Sequence, residues 1–342
     1  MLAINEMSTN TRVQVNVLPT PSVLKRQHPL TKDMIRDIST WRQTIVDILH
    51  GKDSRLLMIV GPCSVHDPIA VVDYARRLSI LQEKCPKIFF VMRTYFEKPR
   101  TRKGWSGFMH DPHLNGSNDM VSGVIACRKL LLQLTTLRVP TATETLSLVA
   151  PQYIDDLISF ACIGARTTES QPHRELASGL SVPVGFKNST NGDISVAINS
   201  IVSASEGKVF MGINANGRVA AINTVGNPHC CLVLRGGVEP NYKEELSEQI
   251  STVLQRENIL TGIVIDASHG NSGKKWKRQI EVLKYLAVQR HANVRGIMME
   301  SFILDGSQSL NSSPLTYGLS VTDECIGWEK TEDVLKHINK HC

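Results

Sequence analysis

Residues 55–84, RLLMIVGPCSVHDPIAVVDYARRLSILQEK, contain one complete unit of the fold. The run LLMIV (56–60) is continuously apolar and β-branched at its end, which suits a strand buried on both faces. GPCSVHD (61–67) interrupts it, and Asp67 followed by Pro68 is an N-cap and first-turn proline for a helix. Ile69, Val72, Leu78 and Leu81, with Ala75 at a close-packed point, predict the buried stripe of that helix. Cys63 therefore stands where a buried strand meets its loop, as a packing residue, a nucleophile or a metal ligand.

The same order recurs outward from this stretch. Apolar runs follow at IFFVM (88–92), VPTAT (139–143), FACIGA (160–165), VPVGF (182–186), CCLVL (230–234), GIVI (262–265) and VRGIMM (294–299), each with a loop and a helical stretch after it. Eight such units predict an α/β chain closed into a (β/α)8 TIM barrel, with an open doubly wound sheet as the alternative. Two additions are expected. Residues 1–50 form an N-terminal arm and helix for assembly or regulation, with a short strand at RVQVNVL (12–18). Its helix carries Met34, Ile38, Trp41, Ile45 and Ile48 on one face, between Thr31 as cap and Gly51 as stop. The barrel spans 51–342 and carries an inserted β-hairpin at about 208–224, turning at NANG.

With 342 residues, 42% hydrophobic and 20% charged, the chain has ample material for a core and no signature of disorder. No apolar run approaches the length of a membrane span, and the start lacks a signal-peptide core, so no membrane association is expected. The eight cysteines show no CxxC pairs and read as reduced thiols of a cytoplasmic protein. A net charge of +6 from scattered basic residues suggests anionic small molecules at least as readily as nucleic acid, and alone decides little. The basic cluster KKWKRQ (274–279), with no aromatic-rich basic surface beside it, reads as a solvated helix face, so no nucleic-acid partner is expected.

Immediately after the eight runs stand Gly61-Pro62-Cys63, Arg93, Glu144, Arg166, Lys187, Arg235, Asp266 with His269, and Glu300. In a barrel these converge on one mouth. Four cations there require bound anions, and Lys98 and Arg100 add to them, so phosphorylated substrates are expected. Cys63, His269, Glu300 and Asp323 offer thiolate, imidazole and two carboxylates. That mixture suits one divalent metal ion, Mn, Fe, Co or Zn, with a position left for substrate.

GPCSVHD (61–67), RTYFEKPRTRKGWSGF (93–108), IGARTTESQPHRELASGLSVPVGFKN (163–188), LRGG (234–237), DASHGNS (266–272) and YGLSVTDECIGWE (317–329) together resemble the type I 3-deoxy-D-arabino-heptulosonate 7-phosphate (DAHP) synthases, from about residue 30 to 335. The resemblance implies metal-dependent condensation of phosphoenolpyruvate with erythrose 4-phosphate, the first step of the shikimate pathway. It places the metal on Cys63, His269, Glu300 and Asp323. Phosphoenolpyruvate falls on Arg93, Lys98, Glu144, Ala165, Arg166, Lys187, Arg235 and His269, and erythrose 4-phosphate on Arg100, Thr101 and Asp323. Lys98, His269, Cys63 and Asp323 are the implied catalytic set.

The resemblance also implies feedback inhibition by an aromatic amino acid near Ser147, Pro151, Leu180 and Ser181, and a homodimer or homotetramer. The hairpin FMGINANGRVAAINT (210–224) is similar to the tyrosine-sensitive form, whereas VPTATE (139–144) and PLTYG (314–318) are similar to the tryptophan-sensitive one; the balance inclines to tyrosine. Two other enzymatic readings stand beside this: a related synthase using another sugar phosphate, and a Schiff-base aldolase with Lys187 as nucleophile.

Overall fold

In the computed structural model, which describes residues 15–289 and 293–342, the chain forms ten strands. They are β1 (Leu56–Gly61), β2 (Ile88–Arg93), β3 (Thr141–Glu144), β4 (Phe160–Ile163), β5 (Val184–Lys187), β6 (Val209–Ile213), β7 (Val219–Asn223), β8 (Cys230–Leu234), β9 (Ile263–Asp266) and β10 (Val294–Glu300). All but β6 and β7 are parallel and follow one another around a closed barrel, with β10 paired back onto β1. The open-sheet alternative falls with that closure.

The boundaries differ slightly from those expected. Arg93, Glu144, Lys187, Asp266 and Glu300 are the last residues of their strands, not the first beyond them. A charged side chain at the mouth does not interrupt backbone pairing, so the ladder runs on: Gly61 pairs with Glu300, Asp266 with Met298, and Lys187 with Val233.

Strand periodicity then fixes the contents of the barrel. Leu57, Ile59, Phe89, Val91, Ala142, Phe160, Cys162, Cys231, Val233, Val264 and Met298 pack together in its interior. Two residues further along the same strands, at the same parity, come Gly61, Arg93, Glu144, Gly164, Arg235, Asp266 and Glu300. The chemistry-bearing residues are thus the topmost inward layer, above an apolar plug that excludes water from below. Gly61 is needed there: at φ 151° it adopts a backbone disfavoured for other residues, and a Cβ would lie 3.0 Å from the Arg93 nitrogen.

Two helices precede the barrel, α1 (Pro21–Gln27) and α2 (Lys32–Leu49). α2 closes the bottom: Ile45, Ile48 and Leu49 are fully buried against the interior strand residues. Each such side chain contributes roughly 1.5–3 kcal/mol by burial. Thr31 caps this helix as expected, accepting from the Met34 N–H at 3.2 Å. α1 was not expected; Thr20 as cap and Pro21 in the first turn are its signals. Residues 15–20 lie in no strand, and the start of the anticipated RVQVNVL strand lies outside the described residues.

The helix α3 (Pro68–Lys84) buries Val71, Tyr74, Ala75, Leu78 and Leu81, with Asp67 capping it. Ile69, expected in the stripe, is 76% exposed. At about 100° per residue it lies roughly 160° from Val71, on the outer face. The hairpin agrees with expectation, closing through Thr224 N–H to the Lys208 carbonyl at 2.9 Å. Its turn reaches α1, where the Ser22 N–H donates to the Ala215 carbonyl at 2.8 Å.

Candidate active site

Arg93 ends β2 fully buried, and its position is held from three sides. Its Nη2 donates to Glu300 Oε1 at 3.0 Å, its Nε to the Pro62 carbonyl at 3.3 Å, and its guanidinium carbon lies 3.9 Å over the Tyr95 ring. Nη1 is buried with no hydrogen-bond partner among the described residues. A buried donor without a partner is costly, and a substrate anion would satisfy it. Burial alone would lower the Arg93 pKa, but Tyr95, Glu300 and Asp266 overcome it, so the group stays cationic.

Lys187 ends β5, 3.5 Å from Glu144 Oε2 and 3.3 Å from Asp266 Oδ2. Burial opposes its charge, yet these two carboxylates raise its pKa overall. A Schiff-base nucleophile needs the opposite shift, which argues against the aldolase alternative. Glu144 is held ionised in turn: burial raises its pKa, and Lys187 and Lys98 more than reverse that.

Asp266 and His269 form a second coupled unit. The His269 Nδ1 lies 2.9 Å from Asp266 Oδ2 and 2.8 Å from Ser268 Oγ, while Nε2 faces Glu300 Oε1 at 3.8 Å. Asp266 is completely buried; burial would raise its pKa, but His269 and Lys187 hold it well below the usual carboxylate range. With Nδ1 turned toward Ser268 Oγ and the ionised Asp266, Nε2 is the nitrogen that faces the ligand group, the orientation of a metal-ligating histidine.

Of the four expected metal ligands, Cys63, Glu300 and Asp323 offer atoms all within 4.8 Å of one another. His269 is not part of that group; it approaches through Glu300. Thiolate plus two carboxylates, with an imidazole alongside, fits a divalent ion with borderline preferences. Burial, then Glu300, raises the Cys63 pKa, so the thiol is protonated until a cation displaces its proton.

A cavity of about 270 Å³ opens above these ligands. It is lined by Arg93, Lys98, Arg100, Thr101, Glu144, Ala165, Arg166, Lys187, Arg235, His269 and Asp323, every substrate residue expected from the sequence. Tyr95, Arg102, Lys103, Thr190 and Lys274 also line it and were not anticipated as site residues. An amide scaffold was also missed. Asn188 Oδ1 accepts from the Arg235 N–H at 2.8 Å, Asn241 Oδ1 from Gly236 N–H, and Asn271 Oδ1 from Asn241 N–H. Asparagines in KNS, PNY and GNS are the only sequence signal, and one indistinguishable from ordinary loop composition.

The basic run at 274–279 is partly neutralised, with Lys274 paired to Asp323 and Lys275 to Glu324. No helix of the described residues is long and apolar enough to cross a membrane.

A second cavity of about 240 Å³ lies between the strand layer and the short helix Pro151–Ile154. Pro151, Leu180 and Ser181 line it, beside Lys25, Arg42, Glu97 and Glu144. Ser147 does not line it. Its hydroxyl instead accepts from the Val149 and Ala150 N–H groups, shaping the start of that helix, and its own N–H donates to Glu97 Oε2 at 3.1 Å.

Fold and site together define a barrel enzyme that gathers anionic substrates beside a mixed thiolate, imidazole and carboxylate ligand set. The chain belongs to the DAHP synthetase I family, whose sequence profile matches residues 25–336. It is 45% identical over 330 residues to the Tyr-sensitive phospho-2-dehydro-3-deoxyheptonate aldolase of Escherichia coli (strain K12), covering 95% of this chain and 93% of that one. It is 44% identical to the Trp-sensitive enzyme of the same organism, covering 95% of each. A solved phospho-2-dehydro-3-deoxyheptonate aldolase from Francisella tularensis SCHU S4 superimposes with a TM-score of 0.94 at 42% identity, over 96% of this chain and 97% of that one. The chain is thus an enzyme of aromatic amino-acid biosynthesis with a TIM-barrel fold.

Proposed function

We propose that this DAHP synthase condenses phosphoenolpyruvate with erythrose 4-phosphate and water to give DAHP and phosphate, at the site whose eleven expected substrate residues line one cavity. That convergence, with the unpartnered Arg93 Nη1 at its base, is the observation that carries the reading.

Arg93, Arg166, Lys187 and Arg235 hold the carboxylate and phosphate of phosphoenolpyruvate, with Ala165 at its side. Arg100 and Thr101 hold the sugar phosphate. Lys98 directs the aldehyde: burial would lower its pKa, but Cys63, Glu300 and Glu144 raise it, so it stays a cationic donor for the aldehyde oxygen. C3 of phosphoenolpyruvate attacks that carbon, and the oxygen takes a proton. Water adds at C2, where positive charge develops, and one of its protons replaces that given up by Lys98; the new hydroxyl then becomes the C2 ketone as the C2–O bond to phosphate breaks, its proton leaving with the phosphate. The cationic cluster keeps both substrates in attack geometry. Cys63, His269, Glu300 and Asp323 would hold one divalent ion, of the Mn, Fe, Co or Zn type, which when bound supplies Lewis-acid polarisation of the carbonyl.

The second cavity is the proposed effector site. Pro151, Leu180 and Ser181 supply an apolar and hydroxyl wall, Lys25 and Arg42 suit a carboxylate, and Glu97 or Asp155 an ammonium group. An aromatic amino acid, tyrosine on the balance of the hairpin, matches that chemistry. Glu144 lines both cavities and Glu97 adjoins Lys98, which gives the effector a short path to the reaction. The arm (1–50) and hairpin would serve assembly and regulation. Val209, Met211 and Val219 leave the outer hairpin face 70–82% exposed and apolar, which supports a homodimer or homotetramer.

The experiment offers phosphoenolpyruvate with a panel of aldose phosphates and follows phosphate release. Strong preference for erythrose 4-phosphate is expected; preference for a five-carbon aldose phosphate would transfer the chain to the related synthase reading.

A further inference from the structure

Three of the ligand residues are rigidly placed. Glu300 ends a barrel strand, and Cys63 stands two positions beyond the end of another. His269 begins the turn His269–Lys274, which is fastened to its neighbours by the Gly270 N–H to the Arg235 carbonyl and by the Asn271 amide to the Leu234 and Asp266 carbonyls. Asp323 differs. It lies in the irregular stretch between β10 and the helix Trp328–His341, attached by isolated bridges at Ser301, Gly306 and Ser307.

What holds its carboxylate is Lys274. The Nζ lies 3.1 Å from Asp323 Oδ1 and 3.0 Å from Oδ2, and no other hydrogen bond to that carboxylate occurs among the described residues. Lys274 is itself fixed at the close of the His269 turn. Its N–H donates to the His269 carbonyl at 2.9 Å, and His269, Gly273 and Lys274 all adopt left-handed backbone, at φ 52°, 58° and 61°. Two of those are non-glycine residues in a costly conformation, so the turn is specified rather than slack.

We propose that Lys274 is a positioning residue for the metal site: one turn presents His269 directly and, through the Lys274 ammonium, orients Asp323 toward Cys63 and Glu300. The carboxylate already lies within ligand-group distance of both while bound to Lys274, so ion capture requires no exchange of partners. A fixed ammonium near a divalent ion also repels it, but Lys274 is 52% exposed and that repulsion is screened. Orientation is therefore the larger effect. Partners that orient ligands in this way typically change metal affinity by about 10- to 100-fold.

The proposal rests on the metal-site reading above, and the test separates the two. Co²⁺ is titrated into metal-free enzyme and followed by the cobalt–thiolate absorption of Cys63, with thermal unfolding recorded for each variant. Wild type is expected to bind one ion with a thiolate band; no band would overturn the metal-site reading itself. Lys274→Met is expected to weaken Co²⁺ binding about tenfold or more, and Lys274→Arg to restore most of it. In an Asp323→Asn background, Lys274→Met is expected to change affinity by less than about twofold, since its target is gone. Wild-type or tighter Co²⁺ binding by Lys274→Met, or an equal loss in the Asp323→Asn background, would overturn the positioning role while leaving the site intact.

Discussion

Lys98 Nζ donates to the Cys63 carbonyl at 2.9 Å and lies 3.2 Å from the Cys63 sulfur. The loop after β2 is thereby tied to the cysteine delivered by β1, and an aldehyde bound there as proposed would lie against this ammonium. Replacing Lys98 with methionine removes the donor and keeps the packing. Turnover is expected to fall about a hundredfold to ten-thousandfold, the span of a lost proton donor, with Co²⁺ binding preserved. Steady-state kinetics beside a cobalt titration check this.

Cys63 has a neighbouring thiol. Its N–H donates to Cys325 Sγ at 3.4 Å, and both cysteines are free and buried. Without a cation between Cys63 and the carboxylates, an added two-electron oxidant such as peroxide is expected to join the pair as a disulfide, releasing both thiol protons, and to inactivate the enzyme. Burial raises both thiol pKa values, so the rate should climb with pH as thiolate forms. Cys325→Ser is expected to resist; loss of activity at the wild-type rate would refute the pairing.

At the opposite end of the barrel, His50 Nε2 meets His229 Nδ1 at 3.3 Å, which joins the end of α2 to the residue before β8. Burial lowers both pKa values, each also under the positive charge of Lys52, with Asp47 acting against this at His50. A lowered folded-state pKa means the unfolded chain takes protons more readily. Stability is full above the ordinary histidine value of about 6.5 and declines as pH falls below it. In urea unfolding between pH 7.5 and 5, His229→Asn is expected to flatten that decline.

Effector control should separate from catalysis at Ser181, which lines the second cavity and not the first. Filling that space with Ser181→Trp is expected to reduce inhibition by the aromatic amino acid at least tenfold, while turnover without effector stays within about twofold. Dose–response curves with tyrosine, phenylalanine and tryptophan test this and identify the effector.

The barrel and its mouth were legible because their signals are local. Each apolar run reports its own burial, and a charged residue at its end, such as Arg93 or Glu300, needs only the barrel rule to be placed. What escaped is made by distant segments. Asn188, Asn241 and Asn271 act as one scaffold only after three loops meet. Lys274 sat unnoticed in a basic run because its partner Asp323 lies 49 residues on. The second cavity is lined by segments as distant as Lys25, Glu97, Pro151 and Leu180, which no local residue pattern brings together. Ile69 was misjudged because an apolar residue in a helix's first turn carries no face of its own until the rest of the stripe is fixed.

The most direct test of the central claim is phosphate release from phosphoenolpyruvate and erythrose 4-phosphate after chelation, with metal then restored one equivalent at a time. The account predicts no release in chelator and recovery complete near one equivalent of Mn²⁺ or Co²⁺, absent in Cys63→Ala. Full release in chelator, or unaltered turnover by Cys63→Ala, would contradict it.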